Sequence, residues 1–173
     1  MHEYASIVTS SPVLLFDSMI VIEAIRTACW NAITGRRQVV TVDTCAAELR
    51  QGDESTAGYV PVSESQLARA TVEPLSQVAK AAFRLRYPLA DGMDAGERDL
   101  LALASTRSDA FQLCSCDKAA VRAAHALGWL DRVVSLEGLA QSVGARPNPV
   151  LRAQFTESRL SEWRTRLQLG GAL

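Results

Sequence analysis

The sequence predicts an α/β fold: a three-layer α/β/α arrangement around a central, mostly parallel sheet of four or five strands, followed by a C-terminal amphipathic helix. Three observations carry that prediction. Short continuous apolar runs recur at 13–16 (VLLF), 38–42 (QVVTV), 111–115 (FQLCS) and 132–136 (RVVSL), as strands buried on both faces require. The segments between them repeat apolar residues at helical spacing. Cap and turn residues stand at the joints, so strands and helices alternate as in βαβ units.

Taken in order, VLLF is the first strand. Met19, Ile22, Ile25, Cys29 and Ile33 predict one helix over 18–34, stopped by Gly35. Arg36 and Arg37 make the turn into QVVTV. Asp43 or Thr44 caps a helix that carries Glu48 and ends near Gly52. Residues 51–63 are a polar loop, and Ser63-x-x-Gln66 is a capping box. Pro74 begins a helix that runs to Arg86 and is closed by Pro88. A loop (LADGMDAG) follows, and Asp94 caps a helix reaching about Arg107. After FQLCS, Asp117 opens a helix closed by Gly128; RVVSL and a short helix complete the sheet region. The turn-rich stretch SVGARPNP (142–149) divides a domain over 1–142 from a helical extension over 143–173. There, residues 150–168 are expected to form one helix with the apolar stripe Leu151, Phe155, Leu160, Trp163 and Leu167. Arg152, Arg159 and Arg166 occupy another face. The stripe needs a covering surface from its own domain, a second subunit or another protein.

Composition excludes several classes. A chain of 173 residues with 48% hydrophobic content can bury a sizeable core. Its net charge of −1 means that any nucleic-acid binding must come from a local patch. No apolar run approaches the roughly 20 residues of a membrane span. The N-terminus lacks a basic region ahead of its apolar run and carries Glu3, unlike a secretory leader, so a cytoplasmic location is expected. Cys29, Cys45, Cys114 and Cys116 have no zinc-ligand spacing and are expected to be small buried hydrophobes, with Cys114 and Cys116 on opposite strand faces. His125 lies between alanines inside a helix and is expected to be packed or at the surface. No glycine-rich phosphate loop is present, which disfavours a nucleotide-binding or phosphatase-like domain.

The most informative residues are four acids: Asp17, Glu48, Glu97 and Asp117. Asp17 directly follows the first strand, and Asp117 lies two residues beyond FQLCS, so both belong at the carboxyl ends of strands, where parallel sheets bind ligands. Each is equally explained as a helix cap. Asp94-x-x-Glu97 has the spacing of a capping box. Glu48 resists that explanation, because it lies four residues after Thr44 among Ala46, Ala47 and Leu49. Asp43, Asp94 and Asp99 stand nearby. Gathered carboxylates raise one another's pKa, and a fold accommodates them when a divalent cation neutralises them. Mg²⁺ or Mn²⁺ bound there would activate water and stabilise charge on a phosphate.

In these segments the chain resembles the PIN-domain family. The resemblance rests on the strand ending in Asp17, the helix carrying Glu48-Leu49, and the pair Gly96-Glu97 followed by a strand, Ser115 and Asp117. It covers residues 12–140 or thereabouts. It implies a parallel sheet between helices and an endoribonuclease hydrolysing RNA with metal-activated water. Asp17, Glu48, Glu97 and Asp117 match the acidic ligands of Mg²⁺ or Mn²⁺, and Ser115 matches the hydroxyl residue that supports them. It also implies a homodimer and, as many bacterial members are toxins, an antitoxin partner. The third acidic position, often Asp in the family, is Glu97 here, and Lys118 stands where a further acid often follows. Arg36, Arg37 and Lys118 are candidate phosphate contacts. The alternative reading is a catalytically silent PIN-like module that acts by binding protein or RNA.

Overall fold

Strand β1 (Val13–Phe16) lies in the middle of a five-stranded, wholly parallel sheet, in the computed structural model that describes residues 11–52, 54, 55 and 57–173. The expected absence of a leader, read at residues 1–10, lies outside the described residues. The order is β3-β2-β1-β4-β5, with β2 at Val39–Val42, β3 at Thr71–Glu73, β4 at Phe111–Cys114 and β5 at Val133–Val134. All four residues of β1 and of β2 are buried, which is why both read as unbroken apolar runs. The predicted three-layer α/β/α class is therefore the fold of this chain.

Side chains of β1 alternate between two cores. Val13 and Leu15 pack with α5 (Gln77–Arg86), α6 (Ala95–Thr106) and α7 (Lys118–Ala126). Leu14 and Phe16 pack with α1 (Ser18–Arg26), α2 (Trp30–Thr34), α3 (Asp43–Arg50) and α8 (Leu136–Ser142). The short helix α4 (Glu64–Leu67) opens with the predicted box: the Gln66 N–H donates to the Ser63 hydroxyl, and the Ser63 N–H donates to the Gln66 side chain.

Several boundaries differ from the expected ones. The helix expected over 18–34 is two helices. Between them Ala28 adopts φ 59°, Ala28 N–H donates to Ile25 O and Cys29 N–H to Ala24 O, a Schellman closure. Glycine usually fills that left-handed position; alanine hides the break from sequence reading. Relieving it should help the fold: Ala28→Gly is expected to gain about 0.5–1 kcal/mol, the left-handed strain less the added unfolded-chain entropy. Thermal melts would show a rise of about 2–4 °C per kcal/mol for a chain of this size.

The first helical residue of α3 is Asp43; Val42 holds the cap position and no side chain caps the helix. Pro74 does not begin α5. It follows the unforeseen edge strand β3, and Ser76 caps the helix. The last helix, α9 (Glu157–Gln168), starts at the cap Thr156 rather than at 150, after a 3-10 turn at Ala153–Phe155. Its stripe is covered by its own chain, but on two sides of the sheet. Leu160, Trp163 and Leu167 join the core beneath α6 and α7, whereas Leu151 and Phe155 join the other. Arg164 also donates to the carbonyl of Val133, covering a backbone group of edge strand β5. Among the described residues, no helix is long and apolar enough to cross a membrane.

Candidate active site

The strand order reverses between β1 and β4: β2 and β3 lie on one side of β1, and β4 and β5 extend from the other. A crevice forms at such a switch point, outside the carboxyl ends of the strands. Asp17 leaves β1 and Asp117 follows β4, so both stand on this crevice. Each also caps a helix. Ile20 N–H donates to the Asp17 carboxylate at 2.8 Å, and Ala119 and Ala120 N–H donate to Asp117 at 2.5 and 3.1 Å. Capping and membership of the cluster coexist in the same side chains.

Ser115 connects the two. It is buried, its Oγ accepts from the Asp117 N–H at 3.2 Å, and its hydroxyl bonds to the Asp17 side chain. Glu48 comes from α3 and stands exposed at the rim, where the Ser18 hydroxyl donates to it at 2.7 Å. Glu97 comes from the first turn of α6. The capping box expected there does not form, because the Asp94 side chain makes no cap hydrogen bond. The half-buried Glu97 carboxyl bonds to Asp117 instead.

A cavity of about 320 Å³ opens between these elements, lined by Asp17, Ser18, Glu48, Asp94, Gly96 and Glu97 among others. Gly96 makes room for Glu48. A Cβ at position 96 would lie 2.9 Å from both Glu48 carboxylate oxygens and from Cys45 Sγ. Ser18, Asp94 and Gly96 escaped sequence reading as members of the cleft, since their role depends on contacts between distant segments. Asp99 belongs elsewhere: it is buried and accepts from Lys80 Nζ at 2.7 Å and Thr44 Oγ1 at 2.5 Å. Asp43 is exposed at the start of α3.

The electrostatics of the cleft are those of crowded, desolvated carboxylates. Burial pushes Asp17 up to about 6, against the Ile20 N–H and the Ser115 hydroxyl; the charges of Asp117 and Glu48 push it further up. Burial likewise drives Glu97 up to about 8, aided by Asp117, Asp17 and Asp94. Among the described residues, no lysine or arginine forms an ion pair with Asp17, Glu48, Glu97 or Asp117.

The donor chemistry therefore fits a hard divalent cation: oxygen ligands with uncompensated charge at a binding edge. The side-chain placement is looser. Among the described residues, no group of three or more His, Cys, Asp or Glu side chains stands ready around one metal position.

Cysteine chemistry does not suit this site. Burial, and then the charges of Asp17 and Glu48, push the Cys45 thiol up to about 12, and Cys116 is raised by burial and the neighbouring acids. Cys116 is half-buried rather than fully so, and it lies past the end of β4, where strand alternation with Cys114 no longer applies. His125 is exposed on α7. Arg36 and Arg37 precede β2 and therefore lie at the opposite, amino edge of the sheet. There Arg36 donates to Val143 O, and Arg37 to Pro12 O and Gln112 Oε1 at 2.9 Å each. Lys118, exposed at the start of α7 and directly after Asp117, borders the acidic edge. In comparisons with known proteins, no family model and no curated sequence matches this chain.

Proposed function

We propose that the chain is a PIN-like, divalent-cation-dependent endoribonuclease. One observation carries the reading: Asp17, Glu48 and Glu97 line one cavity at the switch point, with Asp117 beside Glu97, two of these carboxyls are pushed well above their ordinary pKa, and among the described residues none of the four has an ion-paired lysine or arginine. Energetically such a cluster is a poor choice for stability alone. A bound Mg²⁺ or Mn²⁺ supplies the missing positive charge and a water of lowered pKa.

The chain's own groups do the rest. Asp17 and Asp117 fix the two sides of the cleft from the rigid ends of β1 and β4. Ser115 orients the Asp17 carboxylate. Burial and the neighbouring acids hold the Glu97 carboxyl up at about 8, so cation loading is expected to release its proton. Lys118 is positioned for a phosphate contact at the rim. The reaction is hydrolysis of an RNA phosphodiester; an antitoxin protein and a homodimeric assembly belong to the same proposal.

The test is cleavage of end-labelled RNA with Mn²⁺ by wild type and Asp17→Asn. Loss of at least about a hundredfold in rate is expected, above the range for disturbing an outer-shell partner of a metal ligand. Equal cleavage by both proteins ends the assignment. The position of Gly96 gives a second test. Gly96→Ala displaces the Glu48 carboxylate, so Mn²⁺ affinity should fall about tenfold by titration calorimetry, with a loss of about 1–3 kcal/mol in stability from overpacking against Cys45.

Two observations favour the alternative of a silent PIN-like binding module: Glu48 is exposed, and no three acids stand around one point among the described residues. Absence of Mn²⁺ uptake in the same calorimetry would select it.

A further inference from the structure

Next to the acidic cleft lies a second cavity of about 400 Å³, bounded mainly by apolar side chains of α1, α3 and the loop before α4. Met19 and Glu48 line both cavities, so the two share a wall. We propose that this second cavity binds the base of a ribonucleotide whose phosphate lies over the carboxylates. The proposal rests on the ribonuclease reading and names the part of the substrate recognised beside the reacting bond.

Chemistry and construction both point to a base. Ile22 and Leu49 give the cavity an apolar floor, and its volume is within the range of small-ligand sites, about 300–1,000 Å³. Tyr59 offers an aromatic ring and Arg152 a guanidinium plane, the two surfaces on which unstacked RNA bases are held. The Glu48 carboxylate provides an acceptor at the shared wall for the donors on a base edge.

Both recognition groups are fixed in place. A Cβ at position 52 would stand 2.4 Å from Tyr59 Cε2, so the ring lies directly against the Gly52 α-carbon. Gly58 precedes the tyrosine at φ +82°, a conformation that glycine adopts without strain. Arg152 is tethered to the fully buried Glu23: its backbone N–H donates to Glu23 Oε1 at 2.9 Å, and its guanidinium lies 3.6 Å from Oε2. Its side chain nonetheless remains 40% exposed, open to a ligand. Sequence separation hides this arrangement, because residues 19, 59 and 152 meet only in the folded chain.

The experiment is saturation-transfer NMR on the whole chain in EDTA, with adenosine, guanosine, cytidine and uridine as ligands and ribose as the base-free control. Leaving out phosphate and cation separates base binding from cleavage. At least one nucleoside should bind while ribose does not. Tyr59→Phe keeps the ring and should keep the affinity. Tyr59→Ala and Gly52→Ala, which remove or displace the ring, should weaken it about 5- to 100-fold. Thermal melts confirm that each variant is folded.

Binding of ribose equal to that of the nucleosides, absence of binding by all four, or wild-type affinity in both Tyr59→Ala and Gly52→Ala overturns the proposal. Nucleoside binding that depends on Tyr59, in a protein that cleaves no RNA with Mn²⁺, removes the ribonuclease reading and leaves the base site standing. Cleavage with no Tyr59-dependent binding removes the base site alone.

Discussion

Asp17→Asn is expected to make the cation-free protein more stable at pH 8 while it abolishes cleavage. The two effects share one cause. The Asp17 carboxyl moves from 3.8 to about 6 on folding, chiefly because burial strips its water. About two pKa units correspond to roughly 3 kcal/mol of strain in the ionised state. Below about pH 4 both folded and unfolded chains hold the proton and the strain is absent. Between about 4 and 6 only the folded chain holds it, so stability falls as pH rises. Above 6 the full cost is present. Glu97 extends the same decline towards pH 8, with a smaller effect because it is partly exposed.

Asparagine keeps the cap to the Ile20 N–H and removes the charge. The variant should therefore melt about 6–12 °C higher than wild type at pH 8 and show a flatter stability profile from pH 5 to 9. Mn²⁺ should raise the wild-type midpoint and leave that of the variant nearly unchanged. A variant that melts lower than wild type, or keeps its pH slope, would show that the cluster carries no such strain.

Trp163→Ala is expected to cost about 3–5 kcal/mol, the usual loss for a large aromatic removed from a core. Trp163 is 5% exposed and packs with Leu160 and Leu167 among residues of α6 and α7. Urea unfolding at pH 7 would register this as a lower midpoint with an unchanged slope. A loss below about 1 kcal/mol would mean that α9 is an attachment to the fold rather than part of it.

The extent to which the sequence revealed this architecture follows from burial. β1, β2, β4 and β5 were legible because buried parallel strands are apolar on both faces. β3 was not, since Thr71–Glu73 is three residues long, partly exposed and followed by Pro74. The break at Ala28 carries no glycine or proline to announce it, and the start of α9 depends on a Thr156 cap that periodicity does not weigh.

In the cleft, Asp17, Ser115 and Asp117 were legible from their place just beyond strands. The bond from Ser18 to Glu48, the clearance at Gly96 and the contribution of Asp94 are products of long-range packing. Arg36 and Arg37 were misplaced for a related reason: a turn before a strand and a turn after it carry similar residues but lie at opposite edges of the sheet.

The split stripe of the C-terminal segment bears on how the protein is made. Leu151 and Phe155 close one core, and Leu160, Trp163 and Leu167 close the other. A nascent chain that has emerged only as far as α8 has both halves of its interior open. The face that takes Leu151 and Phe155 can be covered first, and the other only when Leu160, Trp163 and Leu167 follow. Both cores are closed only once nearly the whole of residues 150–167 has left the ribosome.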